Sequence, residues 1–144
     1  MRIAVLGMGN VGSALGRRWA KTGHAVTFGV REPEKKQDEA QKMGAAAKTV
    51  RKAVDPAEVV LLAVPWSAAP DVLEAAGDLS GKVLLDCANP VTATLDHLTL
   101  GFTTSSGEEV ARLARGSRVV KVFNTNGAGN MADPDYGWLR ATML

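Results

Sequence analysis

The sequence RIAVLGMGNVGSALGRRWAKTGHAVTFGV, residues 2–30, decides the fold. Its apolar residues Ile3 to Leu6 do not alternate with polar ones, which is typical of a strand covered on both faces inside a parallel sheet. Three glycines follow, and then a segment with apolar residues at helical spacing and cations on the opposite face. The apolar positions of this predicted helix are Val11, Ala14, Leu15 and Trp19. Because a second apolar strand follows at Ala25 to Phe28, the segment predicts a βαβ unit.

The glycines Gly7, Gly9 and Gly12 have the spacing of a dinucleotide-binding turn between a strand and a helix. The first permits a tight turn, the second lets a pyrophosphate approach the backbone, and the third allows the helix to pack closely on the sheet. The helix N-terminus adds unpaired N–H groups and a partial positive charge, which suit a diphosphate. The residues predicted to contact a dinucleotide here are Gly7, Met8, Gly9, Asn10, Val11 and Gly12. The alternative is a glycine-rich turn that binds no ligand.

The residues after the second strand predict which dinucleotide is bound. NAD-selective sites usually place Asp or Glu near the end of this strand, where it binds both ribose hydroxyls. Here the strand is followed by Arg31, and Lys35 lies one helical turn later. A guanidinium can bind a 2′-phosphate through two parallel charge-assisted hydrogen bonds, so the pattern favours NADP(H). Since Glu32 and Glu34 alternate with these cations, the alternative is a solvated helix start with surface ion pairs.

The rest of the chain continues the alternation of strands and helices. Strands are predicted within Ala45–Val50 and at Val59–Val64, Lys82–Cys87 and Val119–Phe123. Helices are predicted at Glu34–Met43, Arg51–Asp55, Ala68–Ala76 with Ser67 as cap, and from Ser105 or Ser106 to Ala114 with a Ser-x-x-Glu capping box. Six strands joined by right-handed crossovers predict a three-layer α/β Rossmann fold, with a doubly wound, mainly parallel sheet of order 3-2-1-4-5-6.

In such a sheet the ligand lies at the carboxyl ends of the strands, where the strand order reverses. The predicted cofactor residues in these loops are Val64, Pro65, Trp66, Asn89 and Pro90, and the predicted substrate residues are Asn124 and Thr125. The asparagines can donate and accept hydrogen bonds to a carboxamide or heterocycle, or they simply terminate strands. Trp66 either flanks the cofactor or a flat second substrate, or it seals the end of the sheet.

Composition excludes several classes of protein. The 144 residues contain no apolar run near the ~20 that a membrane span needs, and no secretion signal precedes the first strand. A net charge of +2 without a cationic block argues against nucleic acid as a partner. The single cysteine, Cys87, fits a reducing cytoplasm and is expected to be a small buried residue. Neither His24 nor His97 has neighbours at metal-ligand spacing, so no metal site is expected.

Five segments together resemble the NADPH-dependent coenzyme F-420 reductase family, also known as F-420-dependent NADP oxidoreductases. They are MRIAVLGMGNVG at residues 1–12, GH at 23–24, GVREPEK at 29–35, AVPW at 63–66 and VKVFNT at 120–125. The resemblance implies hydride exchange between NADP(H) and a 5-deazaflavin, coenzyme F-420, stacked on the nicotinamide. It also implies that Arg31 and Lys35 hold the 2′-phosphate, although Val30 replaces a serine common in the family. Hydride transfer needs no protein nucleophile, and no catalytic residue is predicted.

Members of this family generally extend for some dozens of residues beyond this length, so residues 1–144 are expected to form a single NAD(P)-binding domain without the C-terminal substrate side. The sequence leaves three alternatives to an F-420-dependent enzyme: a non-catalytic NADPH-binding module, a regulatory subunit, and a reductase of a small imine or carbonyl compound. An exposed sheet edge near Val119, Val120 and Val122 favours self-association, and a homodimer is expected.

Overall fold

A computed structural model of the chain describes residues 1–142, whose six strands form one parallel sheet. The strands are β1 (Arg2–Leu6), β2 (Ala25–Gly29), β3 (Ala46–Lys48), β4 (Val59–Leu62), β5 (Val83–Asp86) and β6 (Arg118–Lys121). Their order is β3-β2-β1-β4-β5-β6, which confirms the predicted Rossmann topology. Met143 and Leu144, which belong to the predicted single domain, lie outside the described residues.

Helices cover both faces of this sheet. They are α1 (Asn10–Lys21), α2 (Pro33–Lys42), α3 (Val50–Val54), α4 (Ala69–Ala76), α5 (Ser106–Leu113) and α6 (Ala128–Ala132). One core cluster contains residues of α3, α4 and α5, and the other contains residues of α1, α2 and α6. The predicted three-layer arrangement is therefore confirmed.

Strand β1 shows why an apolar run without alternation predicts a central strand. Ala4 and Leu6 belong to one core cluster, whereas Ile3 and Val5 belong to the other. All four are at most 4% exposed, so both faces of the strand need apolar side chains. Burying a side chain of the size of Leu or Val contributes about 1.5–3 kcal/mol relative to leaving it exposed. This packing fixes β1 at the centre of the sheet.

Several predicted element ends are wrong by one or two residues, including that of β6, which ends at Lys121 and not at the predicted Phe123. Strand β4 ends at Leu62, two residues before the predicted Val64, and a 3₁₀ turn at Trp66–Ala68 then leads into α4. The predicted cap Ser67 lies inside that turn, and the residue at the N-cap of α4 is Ala68, which makes no side-chain cap hydrogen bond. The turn is closed by the Ala68 N–H, which donates to the Pro65 carbonyl at 2.9 Å. Backbone hydrogen bonding therefore replaces the cap at this junction.

The capping box of α5 is confirmed and involves the first of the two possible serines. The Ser105 hydroxyl accepts a hydrogen bond from the Glu108 N–H at 3.2 Å, and the Glu108 carboxylate accepts one from the Ser105 N–H at 2.7 Å. The Ser105 hydroxyl also donates to the Glu108 carboxylate at 2.9 Å, and this bond, followed by the one from the Ser105 N–H, holds the pKa of Glu108 below its usual range. Because each group satisfies the other, the helix start is defined by Ser105 and not by Ser106.

Helix α6 is an element that the sequence analysis does not predict. Its five residues include one glycine and one buried side chain, Met131, so no helical periodicity is visible. Met131 packs into the same core cluster as Leu15 of α1, and Trp19 lies against Phe123 with ring centroids 6.3 Å apart. Tertiary contacts with α1 therefore hold this short helix in place. No helix within residues 1–142 is long and apolar enough to cross a bilayer.

Candidate nucleotide-binding site

A cavity of about 450 Å³ opens at the carboxyl ends of β1, β2 and β4, where the strand order reverses. It joins the glycine turn after β1 to the loop after β2 and to the start of α4. The lining residues are Gly7, Met8, Gly29, Val30, Arg31, Glu32, Lys35, Lys36, Val50, Val64, Pro65, Ala68, Asp71 and Val72. A cavity of this size falls in the range of cofactor sites, and its place in the fold is the one that ligands of open α/β sheets occupy.

The glycine turn has the packing that its sequence predicts. Gly7 has a φ of +102°, and a Cβ there would lie 2.4 Å from the Ala63 carbonyl oxygen. A Cβ at Gly12 would lie 2.2 Å from the Gly7 carbonyl oxygen, so the predicted roles of both glycines in tight packing are confirmed. At Gly9, by contrast, a Cβ would meet no atom within 4 Å. The space beside the Gly9 backbone, at the N-terminus of α1, is therefore open, as an approaching diphosphate would require.

The N-terminus of α1 is free to bind an anion. Its N-cap, Gly9, makes no side-chain cap hydrogen bond, and the first turn contains no acidic residue. The Ser13 N–H donates to the Gly9 carbonyl at 2.9 Å, whereas the N–H groups of residues 10–12 precede the first intrahelical bond. These groups and the helix dipole give this end of the cavity a partial positive charge.

The loop after β2 brings the two predicted phosphate-binding cations to the cavity, in different states. Arg31 is exposed and makes no hydrogen bond or ion pair within residues 1–142. Lys35 Nζ lies 2.5 Å from Glu32 Oε1, and Lys36 Nζ lies 2.7 Å from Glu39 Oε2. The surface ion pair that the sequence left open as an alternative thus exists for Lys35, while the guanidinium of Arg31 is available to a ligand.

The remaining wall of the cavity consists of apolar side chains, which suit contact with a heterocyclic base. Its side chains are Val30, Val50, Val64, Pro65, Ala68 and Val72. Trp66, predicted beside the cofactor, does not line the cavity. Its half-buried side chain packs against the core cluster of α3, α4 and α5, as the predicted alternative of sealing the sheet end requires.

The loops after β5 and β6 meet each other but lie outside this cavity. Asn124 Nδ2 donates to Asn89 Oδ1 at 2.7 Å and to the Cys87 carbonyl at 3.2 Å. Pro90 accepts a hydrogen bond from the Thr99 N–H at 2.7 Å, and Thr125 is exposed next to Asn124. The structure therefore brings Asn89 and Asn124 together as one polar cluster, separate from the glycine turn.

An ion pair that sequence reasoning missed lies beneath this cluster. The fully buried Asp86 carboxylate accepts hydrogen bonds from Lys121 Nζ at 3.2 Å and from the Ala88 N–H at 2.9 Å. Lys121 Nζ also donates to the Ala88 carbonyl. The sequence offered one signal for this pair, a carboxylate at the end of the apolar strand Val83–Asp86. Its partner Lys121 could be identified only from the sheet register, which places the two residues side by side.

The family of the chain follows from comparison with known proteins. Residues 2–90 match the family described as NADP oxidoreductase coenzyme F420-dependent. The chain belongs to this family. The resemblance seen in the sequence is thereby confirmed, and the matched residues 2–90 include every residue that lines the cavity.

The chain is also similar to a protein whose name states its function and to proteins of known structure. The F420-dependent NADP reductase of Methanothermobacter marburgensis is 33% identical over 150 residues, a match that covers 92% of this chain and 67% of that protein. A crystal structure described as an F420-dependent NADP reductase, from an Arthrobacter species, superimposes with a TM-score of 0.83 at 33% identity and covers 93% of this chain and 67% of the other. An imine reductase from Bacillus cereus, at 23% identity, covers 89% of this chain and 42% of its own with a TM-score of 0.67, and so shows the fold alone.

Cys87 and the metal-ligating residue types were also predicted to play no part in the site. The half-buried Cys87 thiol donates to the Leu62 carbonyl at 3.0 Å, and burial together with the nearby Asp86 charge raises its pKa to about 11. Cys87 is thus partly buried and not fully buried as predicted, and its raised pKa disfavours the reactive thiolate at neutral pH. That it does not act as a nucleophile stays a prediction. Within residues 1–142, no group of three or more His, Cys, Asp or Glu side chains could hold a metal ion.

Proposed function

We propose that this chain binds NADP(H) and exchanges a hydride with a deazaflavin coenzyme of the F420 type. One observation carries the proposal: a single cavity joins the glycine turn to the partner-free guanidinium of Arg31. A dinucleotide with an extra phosphate needs both features, since its diphosphate suits the start of α1 and its 2′-phosphate suits a cation. Membership of the F420-dependent family and the named relative supply the acceptor class.

The residues fit the parts of NADP(H) in order along the cavity. Met8, which lines the cavity, would hold the diphosphate together with Gly9 and the N–H groups of Asn10, Val11 and Gly12, which are at the start of α1 and not among the lining residues. Arg31 and Lys35, which both line the cavity, would hold the 2′-phosphate. Val64 and Pro65 would contact the cofactor from the loop after β4. Trp66, Asn89 and Pro90 stay proposed contacts to its nicotinamide half, and Asn124 and Thr125 stay proposed contacts to the acceptor. These assignments rest on strand-end position, because the latter residues lie outside the cavity.

Bound NADP(H) would supply the hydride chemistry, so the work of this chain would be to position two rings and exclude water. The rigid parts of the site suit that task. Gly7 and Gly12 are locked by backbone contacts, and the Asn89–Asn124 hydrogen bond joins the two loops on the proposed acceptor side. We assign no acid, base or nucleophile, since none of the described side chains near the cavity has the geometry of such a group.

The phosphate assignment is tested by replacing Arg31 with alanine. A charge-assisted hydrogen bond contributes about 1.5–3 kcal/mol, so Arg31→Ala should weaken NADPH about ten-fold or more and leave NADH nearly unchanged. Arg115→Ala is the matched control, because Arg115 is an exposed arginine in the turn that precedes β6, at the opposite edge of the sheet. Equal losses for both nucleotides would contradict the assignment.

The acceptor is tested by turnover of the purified protein. With NADPH and the deazaflavin, loss of nicotinamide absorbance is expected. Binding of NADPH without turnover would instead favour a non-catalytic or regulatory module, and turnover only with an imine or small carbonyl compound would favour the third alternative. Failure to bind either nucleotide would overturn the proposed function as a whole.

We also propose that the chain forms a homodimer through the β6 side of the sheet and acts in the cytoplasm. Strand β6 is the outer strand on that side of the described sheet, and Val120 is 45% exposed. Unpaired backbone groups on an outer strand recruit partner strands, and an exposed apolar side chain favours the contact. The free thiol of Cys87 suits a reducing compartment. Light scattering after gel filtration should give twice the monomer mass, and a monomer at high protein concentration would contradict the dimer.

A further inference from the structure

Glu32 is an acidic residue inside the cavity, between the two cations that are proposed to hold the 2′-phosphate. Its Oε1 lies 2.5 Å from Lys35 Nζ, and both side chains line the cavity together with Arg31. From the sequence, Glu32 is one of several charges that alternate at the start of a solvated helix. The structure instead places its carboxylate against the group that a phosphate dianion would bind.

The helix that follows does not use this carboxylate. Glu32 is the N-cap residue of α2, yet its side chain makes no cap hydrogen bond. The Glu32 and Lys35 side chains are 63% and 72% exposed, so their ion pair is weak and can exchange partners. The carboxylate is therefore available to a ligand as well as to Lys35.

Glu32 also stands at a spacing that matters for cofactor choice. It follows Gly12 by about 20 residues and lies three residues past the end of β2, near the position where NAD-selective sites place the carboxylate that binds the ribose hydroxyls. One residue can thus act in two opposite ways at the adenosine end of the cavity. It repels a 2′-phosphate and occupies Lys35, and it can accept a hydrogen bond from an unmodified ribose.

We propose that Glu32 is a specificity-determining residue that moderates the preference for NADPH over NADH. By holding Lys35 it leaves Arg31 as the one immediately available cation of the pair, so NADPH must displace an ion pair to engage both. NADH has no 2′-phosphate and does not compete with Glu32 for Lys35. Its ribose hydroxyls can instead donate hydrogen bonds to the Glu32 carboxylate. This inference rests on the proposed binding of NADP(H) in the cavity.

The test is Glu32→Gln, which keeps the size and shape of the side chain and removes its charge. Release of Lys35 and loss of repulsion should tighten NADPH about three- to ten-fold, whereas NADH should weaken by a few-fold. Calorimetric titration with adenosine 2′,5′-bisphosphate and with AMP should reproduce the same opposite changes. Those two fragments isolate the adenosine end, since they lack the nicotinamide.

Glu39→Gln is the matched control. It removes the same charge from the same helix and releases Lys36, which also lines the cavity, but Glu39 itself does not line it. We expect this variant to change the NADPH to NADH affinity ratio by less than about two-fold. The control separates the local effect of Glu32 from the effect of a change in net charge. The second effect should be small, because exposed ion pairs contribute little energy.

The possible outcomes are distinguishable. An unchanged ratio in folded Glu32→Gln, a loss of NADPH affinity, or an equal gain in Glu39→Gln would each overturn the role of Glu32 while leaving NADP(H) binding intact. A wild-type chain that binds neither nucleotide would overturn the proposed function and this inference with it. Thermal melting of each variant identifies a folding defect, and the fragment titrations can then be made below the melting temperature.

Discussion

Replacement of Gly9 with alanine should remove nucleotide binding without unfolding the protein. The structure gives the reason, since a Cβ at Gly9 would meet no protein atom within 4 Å. The backbone there has φ −83° and ψ −166°, an extended conformation that alanine adopts readily. Reduced freedom of the unfolded chain should stabilise the variant by about 0.4–1 kcal/mol, and the poorer N-cap preference of alanine should cost a similar amount. The net change in the free energy of unfolding should stay within about 1 kcal/mol.

The loss of binding should be much larger. A methyl group beside the turn holds a diphosphate away from the N–H groups at the start of α1. Each lost hydrogen bond to a charged group costs about 1.5–3 kcal/mol, so the loss of two corresponds to a roughly 100-fold or greater weakening of NADPH. Affinity for NADH should fall by the same factor, because both nucleotides contain the diphosphate.

Gly12→Ala is the internal contrast. Its Cβ would lie 2.2 Å from the Gly7 carbonyl oxygen and 3.3 Å from a methyl group of Val5, so backbone must shift. Overpacking of this kind costs about 3 kcal/mol, which corresponds to a melting temperature lower by roughly 6–12 °C for a chain of this size.

Urea denaturation and calorimetric titration of the two variants test this reasoning. Wild-type NADPH affinity in Gly9→Ala would show that no diphosphate lies on this turn. Destabilisation of Gly9→Ala equal to that of Gly12→Ala would show that the space beside Gly9 is not open.

Two further predictions concern the buried groups at the ends of β5 and β6. Lys121→Met should lower the free energy of unfolding by about 3 kcal/mol, because it leaves the fully buried Asp86 carboxylate without its cation. This value is at the low end for a buried pair, since the Lys121 side chain is 37% exposed. The double variant with Asp86→Asn should recover part of this in urea denaturation, and a loss below about 1 kcal/mol in the single variant would refute the pairing. Because burial raises the pKa of Cys87 from 9.0 to about 11, its reaction with a thiol reagent at pH 8 should be about 100-fold slower than in the denatured chain and should accelerate as the pH approaches 11. A native rate equal to the denatured rate would show that the thiol is not buried.

The topology was predictable because the sequence pattern of β1 and α1 agrees with the packing of these elements in the sheet. The unbroken apolar run Ile3–Leu6 needs cover on two faces, and the structure provides both core clusters. The spacing of Gly7 and Gly12 predicted a tight turn and close packing, which is confirmed because a Cβ at either position would lie within 2.4 Å of a backbone carbonyl oxygen. The cap at Ser105 was predictable because both partners lie within one helical turn.

What the sequence could not supply depends on contacts between distant residues. Helix α6 is stabilised by packing on α1, and the Asp86–Lys121 pair joins residues on neighbouring strands. The position of Trp66 depends on a 3₁₀ turn whose hydrogen bond gives no signal in the sequence. Likewise, the charge alternation at residues 31–35 cannot show that Glu32 turns into the cavity and binds Lys35.

All residues that line the cavity fall between Gly7 and Val72, whereas the polar cluster of Asn89 and Asn124 comes from later in the chain. The cavity residues and the proposed acceptor contacts, Asn124 and Thr125, therefore lie in separate stretches of the sequence. On the proposed assignment, recombination between Pro90 and Asn124 would exchange the acceptor contacts for those of a relative and keep the residues that hold the nucleotide.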